Sequence, residues 1–250
     1  MIELKGICAG YGSHSVLNGV STVIERGRLT SIIGINGSGK STLLRVMLGI
    51  LPTPDGEILI DGADIKSISR GEIAKKIAYL PQEKAIPDMS VYQMVLHGRF
   101  PHLSYPRRYG VRDREIAISA MSSLGIADLA DKPLYTLSGG MRQNAYLAMA
   151  LAQDTDCILL DEPTTYLDIR HEIDLMKLLK DLAIGGKSIV TVMHDLPLAF
   201  NFSDEIILIH GGGIAARATP SELCKMPIIR EVFNVFIGRD DASGKFYLYN

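Results

Sequence analysis

The segment GINGSGKST at residues 34–42 constrains the fold of this chain more than any other feature. It fits the pattern G-x-x-x-x-G-K-[ST], with the apolar run LTSII before it and the helical STLLRVML after it. In this strand–loop–helix context, glycines let several backbone N–H groups and a helix N-terminus converge on one phosphate group. A glycine-rich turn without a ligand is the alternative, and the context disfavours it. We predict a nucleotide phosphate site formed by Asn36, Gly37, Ser38, Gly39, Lys40, Ser41 and Thr42.

Within this loop, two side chains have distinct predicted tasks. Lys40 is expected to reach the β- and γ-phosphates, and the hydroxyl of Ser41 is expected to bind Mg²⁺.

Elsewhere, short aliphatic and β-branched runs alternate with helical patterns, which indicates an α/β fold. Runs such as CILL and SIVTV are apolar without alternation, as expected of central parallel strands. Helices are predicted to begin at Gly39–Lys40 and at Asp168. The predicted strands are Glu3–Cys8, Ser21–Ile24, Leu29–Ile33, Glu57–Ile60, Ile77–Leu80, Cys157–Leu160, Ser188–Val192 and Glu205–His210.

Between Gln82 and about Asp154 the strand signals vanish. Helical patterns replace them at Val91–Gly98, Arg112–Gly125 and Gly139–Gln153, with prolines and the segment YPRRYG between the first two. We predict one domain over 1–250, whose α/β core (1–82 and 155–250) contains a helical insert (83–154). The tail is predicted to hold a helix at 220–225 and a hairpin ending in GKFYLYN.

Composition excludes several classes of protein. The formal net charge of the 250 residues is −2, without the clustered basic residues that mark a general affinity for nucleic acid. Three widely spaced cysteines follow no metal-ligand pattern and suit a reducing compartment. A signal peptide and an apolar run of the ~20 residues that a membrane span needs are both missing. These features together predict a cytosolic location.

Two further strand ends carry candidate catalytic groups. CILLDEP ends in Asp161, placed to hold Mg²⁺, and Glu162, placed to polarise a water molecule for attack on a phosphorus atom. In SIVTVMHD the apolar strand is followed by His194, which could hydrogen-bond a γ-phosphate and the attacking water. The alternatives are acids that merely end a strand at the surface and an ordinary strand-end histidine. The other histidines are interpreted as solvated or structural: His14, His97, His102, His171 and His210.

A second candidate anion loop lies a hundred residues after the first. In LSGGMRQ, Ser138, Gly139 and Gly140 open the predicted helix Gly139–Gln153. Their N–H groups and the helix dipole suit a γ-phosphate.

The phosphate loop, LSGG, the acid pair and the strand-end histidine, in that order, resemble the ATP-binding cassette (ABC) ATPases over essentially the whole chain. The resemblance implies a P-loop NTPase cassette with a mixed-sheet core, an N-terminal antiparallel β subdomain and an inserted helical subdomain. It also implies that two copies pair head to tail, so that the LSGG of one serves the ATP bound to the phosphate loop of the other.

The same resemblance assigns roles to single residues. Tyr11, in GYGSHSVL, matches the aromatic residue that stacks on adenine. Gln82, in YLPQE, matches the glutamine that touches Mg²⁺ and water, and Asp168 matches the acid that crosses the dimer interface. His194 matches the γ-phosphate contact. Met141, Met149 and Ile35 depart from the commonest family residues, but none of these departures removes a catalytic group.

A narrower likeness involves HGRFPHL, LADKPLYTLSGG and DEPTTYLDIRHEIDL, which resemble the ATPase subunits of bacterial importers for ferric siderophores, haem and cobalamin. It implies a homodimer on the cytoplasmic face of the membrane, bound to integral permease subunits and supplied indirectly by a solute-binding protein, with no nucleic acid partner. The alternatives are the ATPase of a transporter for another substrate and a soluble ABC ATPase acting on ribosomes or DNA. A P-loop kinase or GTPase would leave LSGG unexplained.

Overall fold

The computed structural model describes residues 1–82, 85–165 and 167–249. Its strands, in chain order, are β1 (Ile2–Tyr11), β2 (His14–Ile24), β3 (Leu29–Ile33), β4 (Asp55–Ile60), β5 (Ala63–Asp64), β6 (Ile77–Leu80), β7 (Cys157–Asp161), β8 (Ser188–Val192), β9 (Glu205–His210), β10 (Gly213–Ala218), β11 (Phe236–Arg239) and β12 (Phe246–Tyr249). Its α-helices are α1 (Lys40–Met47), α2 (Arg70–Lys76), α3 (Val91–His97), α4 (Val111–Ser123), α5 (Gly139–Ala152), α6 (Ile169–Ile184), α7 (Leu196–Phe202), α8 (Pro220–Leu223) and α9 (Ile228–Phe233).

The chain forms two compact units. The first comprises 1–68 and 175–250, and the second comprises 69–174, so helix α6 begins in the second unit and ends in the first. Strands β6 and β7 belong to the second unit, together with α2, α3, α4 and α5. The division into a core and an insert made from the sequence, with bounds at 82/83 and 154/155, stays a prediction.

The first unit is built on two sheets and a hairpin. Strand β1 pairs antiparallel with β2 and β4, and β4 with β5, which gives the antiparallel sheet β2-β1-β4-β5. In the other sheet β3 lies between β8 and β9, parallel to both, and β10 adds an antiparallel edge to β9. Every residue of β3 and β8 is buried, and the unalternating sequence SIVTV predicts this for β8.

The second unit combines one parallel strand pair with helices. Strands β6 and β7 pair in the register Leu80↔Leu160, and α3, α4 and α5 pack against one another. Helix α5 buries small side chains such as Ala145 and Ala148, which allows its neighbours to approach closely. Helix α2, which the sequence analysis did not predict, begins with a reciprocal hydrogen-bonded cap between Ser69 and Glu72.

All eight predicted strands are present, and the fold class is confirmed. The structure adds β10, whose sequence GIAARA contains a single β-branched residue and which forms by pairing with β9. It also adds α7, whose first turn holds Pro197 and is capped by Asp195. The predicted tail hairpin is β11–β12.

Candidate nucleotide site

The phosphate loop connects β3 to α1, and its backbone geometry requires glycine. Gly34 has φ 155, and a Cβ atom there would lie 2.4 Å from the backbone oxygen of Ile209. Gly39 has φ 106, and its Cβ would lie 2.8 Å from Leu17 Cδ2. The loop backbone is therefore packed against its neighbours at Gly34 and Gly39. It is open at Gly37 (φ 77), where no heavy atom lies within 4 Å of the Cβ position, and this open side has room for a ligand.

Two polar side chains inside the loop fit a phosphate ligand. The ammonium of Lys40 is buried and donates to the carbonyl oxygens of Gly34 and Ile35 at 2.9 and 3.0 Å, which holds the side chain across the loop. The hydroxyl of Ser38 is buried and has no hydrogen-bond partner among the described residues. A buried unpaired hydroxyl destabilises a fold by about 1–3 kcal/mol. A phosphate oxygen bound in the loop would accept that bond.

A cavity of about 360 Å³ opens at this loop. Asn36, Gly37 and Ser38 form one wall, and His14 and His210 are among the residues of the other walls. The sequence analysis gave these two histidines no role. A sequence signal was available for His210, because this residue ends a predicted strand, Glu205–His210. In the structure β9 is parallel to β3 in the register Ile33↔Leu208, so the ends of both strands lie at the same sheet edge. His14 stands opposite Tyr11 in the β1–β2 hairpin.

His194 lies at that same edge of the sheet. Strand β8 pairs with β3 in the register Ile32↔Val192, and the Met193 N–H donates to the Ile32 oxygen at 3.1 Å. His194 is the next residue and is exposed. The first unit therefore holds the loop and His194 at the carboxyl ends of neighbouring parallel strands, where ligands of open α/β sheets bind.

Tyr11 ends β1 and is 44% exposed, so its ring is accessible to a flat partner such as a base. Its hydroxyl accepts a hydrogen bond from Arg45 Nη1 at 3.0 Å. Because Arg45 is on α1, this bond ties the tyrosine to the helix that begins at the phosphate loop.

In the second unit the acid pair meets Gln82. Asp161 is the last residue of β7 and is buried, and Glu162 follows it with φ 52. Gln82 comes two residues after β6, and its Nε2 donates to Glu162 Oε2 at 2.7 Å. The parallel pairing of β6 and β7 produces this contact across 80 residues of chain. The bond fixes the direction of a carboxylate that the sequence predicts to act on water.

The LSGG segment caps helix α5 as predicted. Ser138 is the N-cap residue, and its Oγ accepts a hydrogen bond from the Met141 N–H at 3.3 Å. Gly139 begins the helix, and Ser138 is exposed. Further along α5, the buried Gln143 donates to the Pro163 oxygen at 2.6 Å, which links this helix to the residue after Glu162.

Asp168 caps helix α6. Its Oδ1 accepts from the His171 N–H at 3.0 Å and lies 2.8 Å from His171 Nδ1. The backbone bond from His171, and then the side-chain bond, lower the pKa of Asp168 and keep this exposed carboxylate ionised. Tyr166 of TTYLD, one of the residues that carry the likeness to importers, lies outside the described residues.

Comparison with known proteins decides the family. A family model described as ABC transporter matches residues 17–165, more than half of the chain.

The chain belongs to the ABC transporter family.

Relatives of known name agree over nearly the whole length. The chain is 39% identical over 236 residues to the petrobactin import ATP-binding protein FpuD of Bacillus anthracis, which covers 94% of this chain and 86% of that protein. It is 40% identical over 237 residues to the ferric enterobactin transport ATP-binding protein FepC of Escherichia coli, which covers 93% and 88%. It resembles the dimeric ATP-binding cassette MJ0796 bound to ADP and Pi with a TM-score of 0.78 and 29% identity, which covers 88% of this chain and 99% of that one.

This ABC cassette is therefore an ATP-binding subunit and an ATPase. The family match covers the phosphate loop, the LSGG segment and the acid pair, whereas Tyr11, Asp168 and His194 lie outside it. Within residues 1–82, 85–165 and 167–249, no helix has both the length and the apolar character needed to cross a membrane.

Proposed function

We propose that this ABC ATPase powers a bacterial importer for a metal chelate of the ferric siderophore, haem or cobalamin type. The main support for ATP binding is the phosphate loop, which holds the buried ammonium of Lys40 and the buried, unpaired hydroxyl of Ser38. The cargo class is supported by the relatives, which are named for petrobactin import and ferric enterobactin transport and match more than nine-tenths of this chain.

In this proposal the groups around the phosphates bind ATP. Lys40 and the N–H groups of Asn36, Gly37, Gly39 and Thr42 contact the phosphate chain, Ser38 donates its unpaired hydroxyl, and Tyr11 stacks on adenine. Positioned donors of this kind stabilise the charge that develops during phosphoryl transfer.

The side chains of Ser41, Gln82 and Asp161 would hold Mg²⁺. Bound there, the ion would neutralise charge on the β- and γ-phosphates. The donor set of a hydroxyl, an amide and a carboxylate fits, since Mg²⁺ prefers oxygen ligands and usually keeps water and substrate phosphates among them.

Hydrolysis then depends on Glu162. The carboxylate, oriented by Gln82, accepts a proton from a water molecule as the water oxygen attacks the γ-phosphorus, and the bond to the ADP oxygen breaks. The imidazole of His194 holds the γ-phosphate and the attacking water. A general base of this kind contributes typically about 10²–10⁴ in rate.

A head-to-tail homodimer completes each site. Ser138, Gly139 and Gly140, at the start of α5, present N–H groups and the positive end of a fourteen-residue helix to the γ-phosphate bound by the other copy. Asp168 crosses the interface between the copies. The likeness to MJ0796, a cassette described as dimeric, supports this arrangement.

Closure of the dimer around ATP would be transmitted, through Gln82 and the helical segment after it, to integral permease subunits at the cytoplasmic face of the membrane. A solute-binding protein would deliver the chelate to that permease. The scheme includes no nucleic acid partner.

The test is recovery of the partner. Tagged Glu162→Gln chain is purified from native membranes in mild detergent with ATP, and the copurifying proteins are identified. We expect a membrane protein with several spans in equal amount, and ATPase activity of the reconstituted wild-type complex that rises with one class of metal chelate. A Lys40→Ala/Glu162→Gln chain, treated identically, controls for recovery that does not require nucleotide.

Other results would contradict parts of the proposal. Recovery of ribosomes or DNA-bound proteins alone would favour the soluble ABC ATPase. A permease whose complex responds to a different solute, and to no metal chelate, would leave the transporter assignment standing and refute the cargo class.

A further inference from the structure

The segment between α3 and α4 contains a surface loop that the nucleotide chemistry does not use. We define the basic-aromatic loop as residues 100–114, which include the first four residues of α4. Its apex carries Tyr105, whose side chain is 96% exposed, followed by Pro106, Arg107 and Arg108, all exposed. An aromatic ring left almost entirely in water contributes little to the fold that carries it.

The base of the loop is firmly anchored. The buried Arg99 donates from Nε to Asp113 Oδ1 and from Nη1 to the Ala152 oxygen, each at 3.0 Å. Asp113 Oδ2 accepts from the Gly110 N–H at 2.9 Å. His102 Nε2 contacts the Gln153 oxygen at 2.8 Å. Because both ends of the loop are tied to α4 and α5, the exposed apex is held in place, which lowers the entropy that binding would cost.

The loop is strongly basic in an acidic chain. Residues 99–115 contain five arginines and two carboxylates, whereas the whole chain has a net charge of −2. Arg99 is paired with Asp113, and Glu115 is exposed. Among the described residues, the other arginines of this segment form no ion pair: Arg107, Arg108, Arg112 and Arg114.

Local interactions do not account for the arginines at the start of α4. Arg112 and Arg114 lie in the first turn of α4, at the positive end of the helix dipole, where basic side chains are unfavourable. Arg107 stacks its guanidinium 4.6 Å from the centre of the Phe100 ring, which keeps that charge beside an apolar surface. The stability of α4 therefore does not explain the placement of Arg112 and Arg114, whereas an anionic partner would.

Exposed apolar side chains accompany the charges. Phe100 is 42% exposed and Val111 is 73% exposed. Ile118, seven residues after Val111 and so on the same face of α4, is 50% exposed. Apolar groups interleaved with arginines are typical of protein surfaces that lie in the headgroup region of a membrane.

We propose that the basic-aromatic loop docks on the anionic phospholipid surface of the membrane. Guanidinium groups bind phosphate oxygens in a bidentate manner, and a tyrosine ring suits the boundary between headgroups and acyl chains. Lipid docking depends on the proposed import function in one respect: that function places the chain beside a membrane.

The test uses the full chain without nucleotide, so it does not depend on ATP chemistry. Binding to phosphatidylcholine vesicles with and without phosphatidylglycerol is measured by flotation at low and high ionic strength. We expect binding to the anionic vesicles only, and weaker binding at high salt. Each arginine near an anionic surface strengthens partitioning about fivefold, so Arg107→Gln/Arg108→Gln is expected to reduce it about 25-fold.

The matched control removes the same charge elsewhere. Lys66 and Lys225 are exposed residues of the other unit. Lys66→Gln/Lys225→Gln is expected to bind the anionic vesicles about as well as the parent chain, because neither lysine belongs to the loop. Equal losses in the two double variants, or binding that ignores phosphatidylglycerol, would overturn the proposal.

A local readout identifies the docking residue. The chain contains no tryptophan, so Tyr105→Trp introduces a single reporter at the apex. Its emission is expected to shift to shorter wavelength with anionic vesicles, whereas Tyr247→Trp, in β12, keeps its spectrum. If the emission of the Tyr105→Trp chain is unchanged with pure lipid and shifts only with vesicles that contain the permease, the loop belongs to a protein partner and lipid docking is refuted. Failure of the import proposal would instead appear in the membrane purification and leave these spectra unaffected.

Discussion

Replacing Gly34 by alanine tests whether the backbone of the phosphate loop has the geometry described. Gly34 has φ 155, and its Cβ would stand 2.4 Å from the Ile209 oxygen and 2.6 Å from Ser38 Oγ. Ile209 is fully buried and is paired on its other side with Ile214 of β10, so it has little freedom to withdraw. The loop must shift instead.

The expected cost follows from two terms. Strain at a φ that alanine rarely adopts costs about 1–3 kcal/mol, and overpacking against a fixed neighbour costs a further 1–3 or so. A total near 4 kcal/mol lowers the melting temperature of a domain of this size by about 8–16 °C.

Gly37→Ala is the matched control, since Gly37 has φ 77 but open space around its Cβ position. Strain alone, about 1–2 kcal/mol, predicts a smaller loss of about 2–8 °C. Both variants are compared with the parent chain by scanning calorimetry without nucleotide. Equal losses in the two variants, or a Gly34→Ala chain that melts with the parent, would refute the contact between the loop and β9.

Further substitutions separate the chemistry from the fold. Glu162→Gln is expected to retain ATP binding and to lower phosphate release by about 10²–10⁴; parental turnover would remove this residue from the role of base. Ser138→Arg, made in the Glu162→Gln chain, is expected to block the ATP-dependent dimer in size-exclusion chromatography while ATP still binds; an unaffected dimer would contradict the role given to LSGG. Arg99→Met should reduce the free energy of unfolding in urea by about 3–5 kcal/mol, because it leaves the largely buried carboxylate of Asp113 without its ion-pair partner; a loss below about 1 kcal/mol would show that the pair is not structural. Burial raises the pKa of Asp113, but bonds from the Gly110 N–H and Arg99 outweigh it and leave the pKa lowered. The stability from this carboxylate is therefore present above about pH 4 and is lost as the pH falls through the lowered pKa, so Asp113→Asn should flatten the acid limb of the stability profile.

Some features of this protein follow from its sequence alone. The runs CILL of β7 and SIVTV of β8 show no alternation of apolar and polar residues, which identifies buried parallel strands, because strands covered on both faces need no polar face. The spacing of glycines, Lys40 and Ser41 after β3 identifies the phosphate loop, since few other patterns place so many N–H groups on one anion. Ser138 was recognisable as a helix cap, because capping depends on residues three positions apart.

Contacts between residues far apart in the chain could not be predicted from local sequence patterns. Arg45 meets Tyr11 across 34 residues, and Gln82 meets Glu162 across 80. These contacts depend on which strands are neighbours and in what register, and local periodicity does not encode strand order. The basic-aromatic loop illustrates the same limit: its sequence shows arginines and aromatics, but the tie from Arg99 to Asp113 and Ala152 makes it an anchored surface.

The sequence by itself therefore determined the family and the position of the phosphate loop, because both depend on short, contiguous residue patterns. The catalytic roles that it predicts for Glu162 and His194 rest on patterns of the same kind. The tertiary structure alone decided that Gln82 orients Glu162, that His14 and His210 line the cavity at the loop, and that four arginines stand without carboxylate partners among the described residues around an exposed tyrosine. These features arise where the folded chain brings distant segments within a few ångströms of one another, and only the packing of the whole chain fixes which segments those are.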